Sequence, residues 1–452
     1  MIYPDSFERK IGFDSVRSLV IGKCVSPLGV AWCEQMSFMT DYRAVDESLT
    51  LTAEMLHIIN GPTDFPLHQL RDVTGLLRRI TVPGTFLTTD EVVSLRKSLE
   101  AIAEVSTFMS DVAKDESKAT QYPKLRQLTS TLDTFPAVVR SIDRLIDRYG
   151  NIKDNASPEL ATIRQQLKSI SGSINSIMRR VMSRAVAEGL IEGDAAPSVR
   201  DGRLVIPVPP MHKRKINGIV HDESASGKTI FIEPAEVVEA NNRYRELEME
   251  ERREINRLLV ELANEIRPEI PSMLDSYEVM GQRDFIHAKA LFAQEVGGSL
   301  PHISMKPEME WYHATHPILL LSLRKHDKDI VPLDINLSDK NRLLIISGPN
   351  AGGKSVCLKT VGIIQYMTQS GLLPPVYENS HIGLFDDIFI DIGDDQSIED
   401  DLSTYSSHLR NMKLMLSKGR STSLVLIDEF GGGTEPQIGG AIAQAMLKQF
   451  NN

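Results

Sequence analysis

Residues 343–362 read LLIISGPNAGGKSVCLKTVG, and this stretch decides the fold of the second half of the chain. An aliphatic run of the kind found in buried strands ends at Ser347. A turn with three glycines follows, and from Ser355 the apolar residues take up helical spacing. The pattern G-x-x-x-x-G-K-[ST] is met by Gly348, Gly353, Lys354 and Ser355, with Pro349, Asn350, Ala351 and Gly352 between them. In a strand–loop–helix setting this is a phosphate-binding loop. Successive backbone N–H groups face the phosphates and the helix N-terminus adds its dipole. Lys354 is expected to reach the β- and γ-phosphates, and the Ser355 hydroxyl to bind Mg2+. Glycines are required because the backbone must approach phosphate with no side chain intervening.

Downstream, SLVLIDE (residues 423–429) brings Asp428 and Glu429 to the end of another aliphatic run. An adjacent acid pair means little alone. After a phosphate loop it reads as Asp428 holding Mg2+, directly or through water, and Glu429 orienting or deprotonating the attacking water. Lys354 and Glu429 are the expected catalytic residues, with ATP and Mg2+ as cofactors. Between the two motifs, six acids fall within Asp391–Asp401, and LSTYSSH (402–408) then opens a helix. An acidic loop before a capped helix accounts for this equally well as Ser403 and Thr404 donating to a phosphate of a facing subunit.

Working outward, residues from about 301 alternate strand-like and helix-like stretches: RLLIIS, SVCLKTVGIIQYMTQS, IFIDIG, TYSSHLRNMKLMLSK and TSLVLIDE. That alternation predicts a parallel α/β sheet. Residues 1–118 read as a helical core or lever, with TTDE (88–91) a capped start. In 119–270, Ser157 and Pro158 open a helix. Its apolar residues Leu160, Ile163, Leu167, Ile170, Ile174, Ile177 and Val181 recur at alternating steps of three and four, a coiled-coil seam. A second long helix from about Pro234 to Ile266 carries Tyr244, Leu247, Ile255, Leu258 and Leu262 on one stripe. The two predict an antiparallel arm. Residues 271–300 return to the helical core.

The β-rich insert between those helices, about 196–235, holds the densest basic run in the chain, His212 to Lys215. Arg203, Lys213, Arg214, Lys215 and Lys228 are candidate nucleic-acid contacts, although a solvated hairpin explains the same residues. The formal net charge of −11 argues mildly against a nucleic-acid partner, so any such contact must come from a local patch. Three cysteines without C-x-x-C spacing fit neither a disulfide frame nor a zinc site. No apolar run approaches the ~18 residues of a membrane span. A reducing cytoplasm fits these features.

The segments SGPNAGGKS, DIGDDQSIEDDLSTYSSHL and LVLIDEFGGGTEPQIGGAIAQAML resemble, in order and spacing, the ATPase domain of MutS proteins. With RDGRLVIPV, GIVHDESASGKTIFIEPAEVVEANNRYRELE and FERKIGFDSVRSLV, the resemblance extends over nearly the whole chain to the second bacterial branch of that family. It implies an ABC-type P-loop ATPase working as a homodimer, with Ser403 and Thr404 completing the partner's nucleotide site. It also implies a coiled-coil clamp arm that closes on branched DNA to suppress recombination, or on an rRNA-containing ribosome surface to split stalled ribosomes. Phe231-Ile232-Glu233 mimics a mismatch reader's Phe-x-Glu, but lies inside the arm insert and does not take that role. Relative to the family pattern, the chain is expected to stop within the ATPase domain (301–452), before the strand carrying a switch histidine, the dimer helices and a nuclease domain. ATP binding is then expected to survive better than turnover.

Overall fold

A computed structural model of the chain describes residues 1–62, 65–67, 70–114, 121–348, 353–393, 401–429 and 435–451. The chain divides into two compact units. One comprises Met1–Asp72, Glu100–Thr134 and Ser272–Asn452; the other comprises Val73–Leu99 and Phe135–Pro271.

In the first unit, a three-stranded parallel sheet runs in the order Ile2–Tyr3, Asp387–Asp391, Ser423–Ile427. The helices Lys354–Gln369, Asp401–Lys418 and Pro436–Asn451 follow the predicted alternation. The sheet differs from expectation in three ways. Its first strand is the chain's N-terminus, two residues too short to show any periodicity. RLLIIS is not a strand: residues 342–347 make no ladder, and Ile345 is 72% exposed. A strand exists only through its neighbours' hydrogen bonds, and among the described residues Ser423–Ile427 pairs on one side alone. The alternation also concealed a second sheet, His302–Ser304, His381–Gly383, Met309–Ala314 and Leu333–Leu337, which is mostly antiparallel.

The loop helix Lys354–Gln369 is held from behind. Its rear, Thr360–Gln369, is buried throughout, while Ser355 at its front is exposed. Tyr366 packs on Phe7 and Phe13, with ring centroids 5.4 and 4.6 Å away, and its hydroxyl donates to Glu8 at 2.5 Å. Gln369 donates to the Phe385 carbonyl and accepts from the Phe385 N–H. A Cβ at Gly362 would lie 2.9 Å from Ile11 and 3.2 Å from Leu426, so glycine lets this helix press on both the N-terminal helix and the acid-bearing strand.

Lys289 is 2% exposed in the same unit. It donates to Ser48 Oγ at 2.9 Å and to the Gly371 carbonyl at 3.1 Å. Burial pushes its amine down to about 7. Its folded pKa therefore lies below the unfolded value, and between the two the unfolded state binds the extra proton. Stability accordingly rises with pH from about 7 towards the unfolded lysine value of ~10.4. Lys289→Met is expected to be the more stable form near neutral pH, by about 1–4 kcal/mol. Urea unfolding should show that advantage shrinking as the pH is raised to about 9.5; a constant difference would contradict it.

In the second unit, Ser157 accepts the Leu160 N–H and opens helix Pro158–Ala187. Thr88 and Glu91 exchange reciprocal bonds at the start of helix Thr89–Lys114, a capping box. The helices Pro158–Ala187 and Ala235–Ile266 run antiparallel. Ser157 meets Glu254, Arg164 meets Glu251 and Arg184 meets Glu236. Leu160, Ile163, Ile174 and Val181 on one, and Leu247, Leu258 and Leu262 on the other, are buried. The insert is a four-stranded antiparallel sheet, ordered Ser198–Arg200, Arg203–Val208, Ile230–Pro234, Gly218–Glu223.

Candidate nucleotide site

Gly353 sits at φ +82° immediately before the loop helix, the left-handed geometry that glycine adopts without strain. Lys354 follows as the first helical residue, and its Nζ donates to the Gly348 carbonyl at 2.6 Å, tying the two ends of the loop together. Pro349, Asn350, Ala351 and Gly352 lie outside the described residues. Gly348, Gly353, Lys354 and Ser355 are thus brought to one exposed helix N-terminus. A partly exposed cation, an exposed hydroxyl and a helix N-terminus in one place suit a polyphosphate.

The strand Ser423–Ile427 delivers the acid pair. Asp428 is buried, and its N–H donates to the Asp391 carbonyl at 2.8 Å, extending the ladder one residue past the strand. Glu429 is exposed and adopts φ +50°. Successive strand side chains point to opposite faces; a left-handed residue breaks that alternation, so two neighbouring acids need not diverge. The strain of a non-glycine residue there is of order 1–3 kcal/mol, the kind of cost found at working sites. Nothing in the sequence announces it. A hydroxyl and a carboxylate are hard oxygen donors that suit Mg2+, so Ser355 and Asp428 fit the ion the motif implies.

Ser403 and Thr404 lie in the first turn of helix Asp401–Lys418; the side chains of residues 401–407 fall outside the described residues, as do residues 394–400 of the acidic loop. One turn further on, His408 Nδ1 pairs with Asp391 Oδ2 at 2.7 Å. The Asp391 hydrogen bond raises the proton affinity of His408, with burial opposing and Glu429 adding a smaller pull in the same direction. The sequence reading gave a role to neither Asp391 nor His408.

The basic candidates belong to the second unit. Lys213, Arg214, Lys215 and Lys228 are exposed. Arg203 is committed elsewhere: its Nη1 lies 2.8 and 2.9 Å from the two oxygens of Glu233, which is fully buried. Its position 30 residues upstream hid this pairing.

A left-handed glycine and lysine opening a helix, backed by a strand that ends in paired acids, are the arrangement a P-loop protein presents. Residues 344–452 match the family MutS domain V. Over 439 residues the chain is 36% identical to "Endonuclease MutS2" of Lacticaseibacillus paracasei, covering 97% of this chain and 54% of that one. The protein of that name from Thermomicrobium roseum is 36% identical over 449 residues, 98% of this chain and 56% of that one. The one from Finegoldia magna is 35% identical over 442 residues, 97% and 54% respectively. The chain belongs to the MutS2-type family, and spans about half the length of these curated relatives. Among the described residues no helix is long and apolar enough to cross a membrane.

Proposed function

We propose that the chain is the ATP-binding and hydrolysing part of a MutS-like clamp that acts on branched DNA and restrains homologous recombination. The observation that carries the reading is the pairing of the exposed Gly353–Ser355 helix start with Asp428 and Glu429 on a strand packed beneath the same helix. Gly348 to Ser355 hold the phosphates, Lys354 countering their charge. Ser355 and Asp428 hold magnesium, which when bound neutralises charge on the phosphate oxygens. Glu429 orients the attacking water and accepts its proton. Ser403 and Thr404 serve the nucleotide of a second copy in a homodimer, so the site is completed across the pair.

The paired helices Pro158–Ala187 and Ala235–Ile266 form the clamp arm, and the exposed Lys213, Arg214, Lys215 and Lys228 give it a cationic surface for a phosphate backbone. Arg203 holds the insert together through Glu233, which supports the same surface indirectly. Replacing Lys213, Arg214 and Lys215 together by alanine is expected to weaken binding to a four-way DNA junction. The slope of log affinity against log salt should become shallower by about 0.9 for each phosphate that the variant no longer neutralises. Gel shifts across a salt series, with and without ATP, read both quantities. Co-sedimentation with ribosomes at matched salt is the counter-experiment. Ribosome binding that depends on these cations, with no junction binding, would move the target to the ribosome and leave the ATP site unchanged.

A further inference from the structure

Asp391 ends the strand beside the acid-bearing one and is buried to 3% exposure. Its main chain and its side chain reach in two directions. The carbonyl accepts the Asp428 N–H at 2.8 Å. One carboxylate oxygen meets His408 Nδ1 at 2.7 Å, and the other accepts from Asn411 Nδ2 at 2.9 Å. His408 and Asn411 are three residues apart on helix Asp401–Lys418 and so share a face. Asn411 is fixed in turn by the Tyr3 hydroxyl, which donates to its Oδ1 at 2.7 Å. On the other flank Lys10 donates to the Ile392 carbonyl at 2.9 Å, pinning the chain just past the strand.

A buried carboxylate with both oxygens on one helix cannot shift without dragging that helix or leaving unpaired charge. Its own carbonyl cannot shift without moving Asp428. We infer that Asp391, His408 and Asn411 are positioning residues that couple the seating of helix Asp401–Lys418 to the placement of the Asp428 carboxylate. The helix whose first turn carries Ser403 and Thr404 is thereby linked to the metal-binding acid of the same chain. Groups that hold a metal ligand from behind commonly set its affinity. The inference rests on Asp428 being the magnesium ligand, and its test separates the two.

The fluorescent nucleotide mant-ATP is titrated into the full chain in Mg2+ and in EDTA. The ratio of the two affinities is the magnesium gain. His408→Ala and Asn411→Leu are expected to lower that gain about tenfold or more, with the EDTA affinity unchanged and the melting temperature lowered because each leaves a buried carboxylate oxygen without its partner. A purely structural role would instead lower the melting temperature and leave the magnesium gain intact, or weaken both affinities together. His408→Asn, whose amide nitrogen takes the place of Nδ1, is expected to restore the gain. Asp428→Asn is the reference. If it loses the gain while His408→Ala and Asn411→Leu keep it, the coupling is overturned and the magnesium ligand stands. If Asp428→Asn keeps the gain too, the magnesium assignment falls and the coupling with it.

Discussion

Replacing Glu233 by leucine is expected to destabilise the second unit by about 3–5 kcal/mol, the cost of leaving buried charge without its partner. The carboxylate is fully buried and is held from several directions: by Arg203 Nη1 at both oxygens, by His221 Nε2 at 2.6 Å, and by Asn241 Nδ2 at 2.7 Å. Arg203 lies on one insert strand, Glu233 on its neighbour, His221 on the next and Asn241 on the following helix, so one side chain joins the sheet to the arm. Leucine approximates the volume but removes the acceptor of Arg203 Nη1 and the partner of His221 Nε2, and leaves Asn241 Nδ2 only the Leu204 carbonyl at 3.5 Å, beside an interior made of Ile206, Val208 and Ile232. Glu233→Gln should be intermediate, because one oxygen remains. Hydrogen exchange of strands Arg203–Val208 and Ile230–Pro234 localises the effect. Unchanged exchange in those strands would contradict the role given to the carboxylate.

Lys354→Ala is expected to weaken ATP binding by about a hundredfold, or about 3 kcal/mol, the worth of one or two charge-assisted hydrogen bonds to phosphate. Its ammonium already bonds to the Gly348 carbonyl, so the variant also loses the brace across the loop. Lys354→Arg should not restore binding, since a planar fork does not replace a compact point charge at the end of a glycine loop. The melting temperature should hold, because the packing of the loop helix lies at its buried rear, in Tyr366, Gln365 and Gln369. Equilibrium binding of mant-ATP checks both variants; affinity retained in Lys354→Ala would remove the loop from the site.

What the sequence made legible was local geometry with a fixed spacing. The loop glycines, Lys354, the acid pair, the Ser157 cap and the Thr88–Glu91 box all depend on residues a few positions apart, where geometry follows directly from spacing. Partnership across the chain was not legible. Ile2–Tyr3 is too short to show a period, yet it completes the parallel sheet. RLLIIS has the composition of a buried strand, and composition cannot supply the neighbours that would make it one. Arg203 looked like a free cation because Glu233 becomes adjacent to it only once two strands pair. Asp391 and His408 lay in a stretch read as an acidic loop and a capped helix, and only the register of the strands shows that the same aspartate also fixes Asp428.

The most direct test of the central claim, that the glycine loop and the acid pair make one metal–nucleotide site, is the magnesium gain in ATP affinity for the parent chain and for Asp428→Asn. The parent should bind ATP more tightly in Mg2+ than in EDTA. The variant should keep the EDTA affinity, supplied by the loop, and lose the gain. A variant that retains the full gain would place the metal away from Asp428 and separate the two motifs.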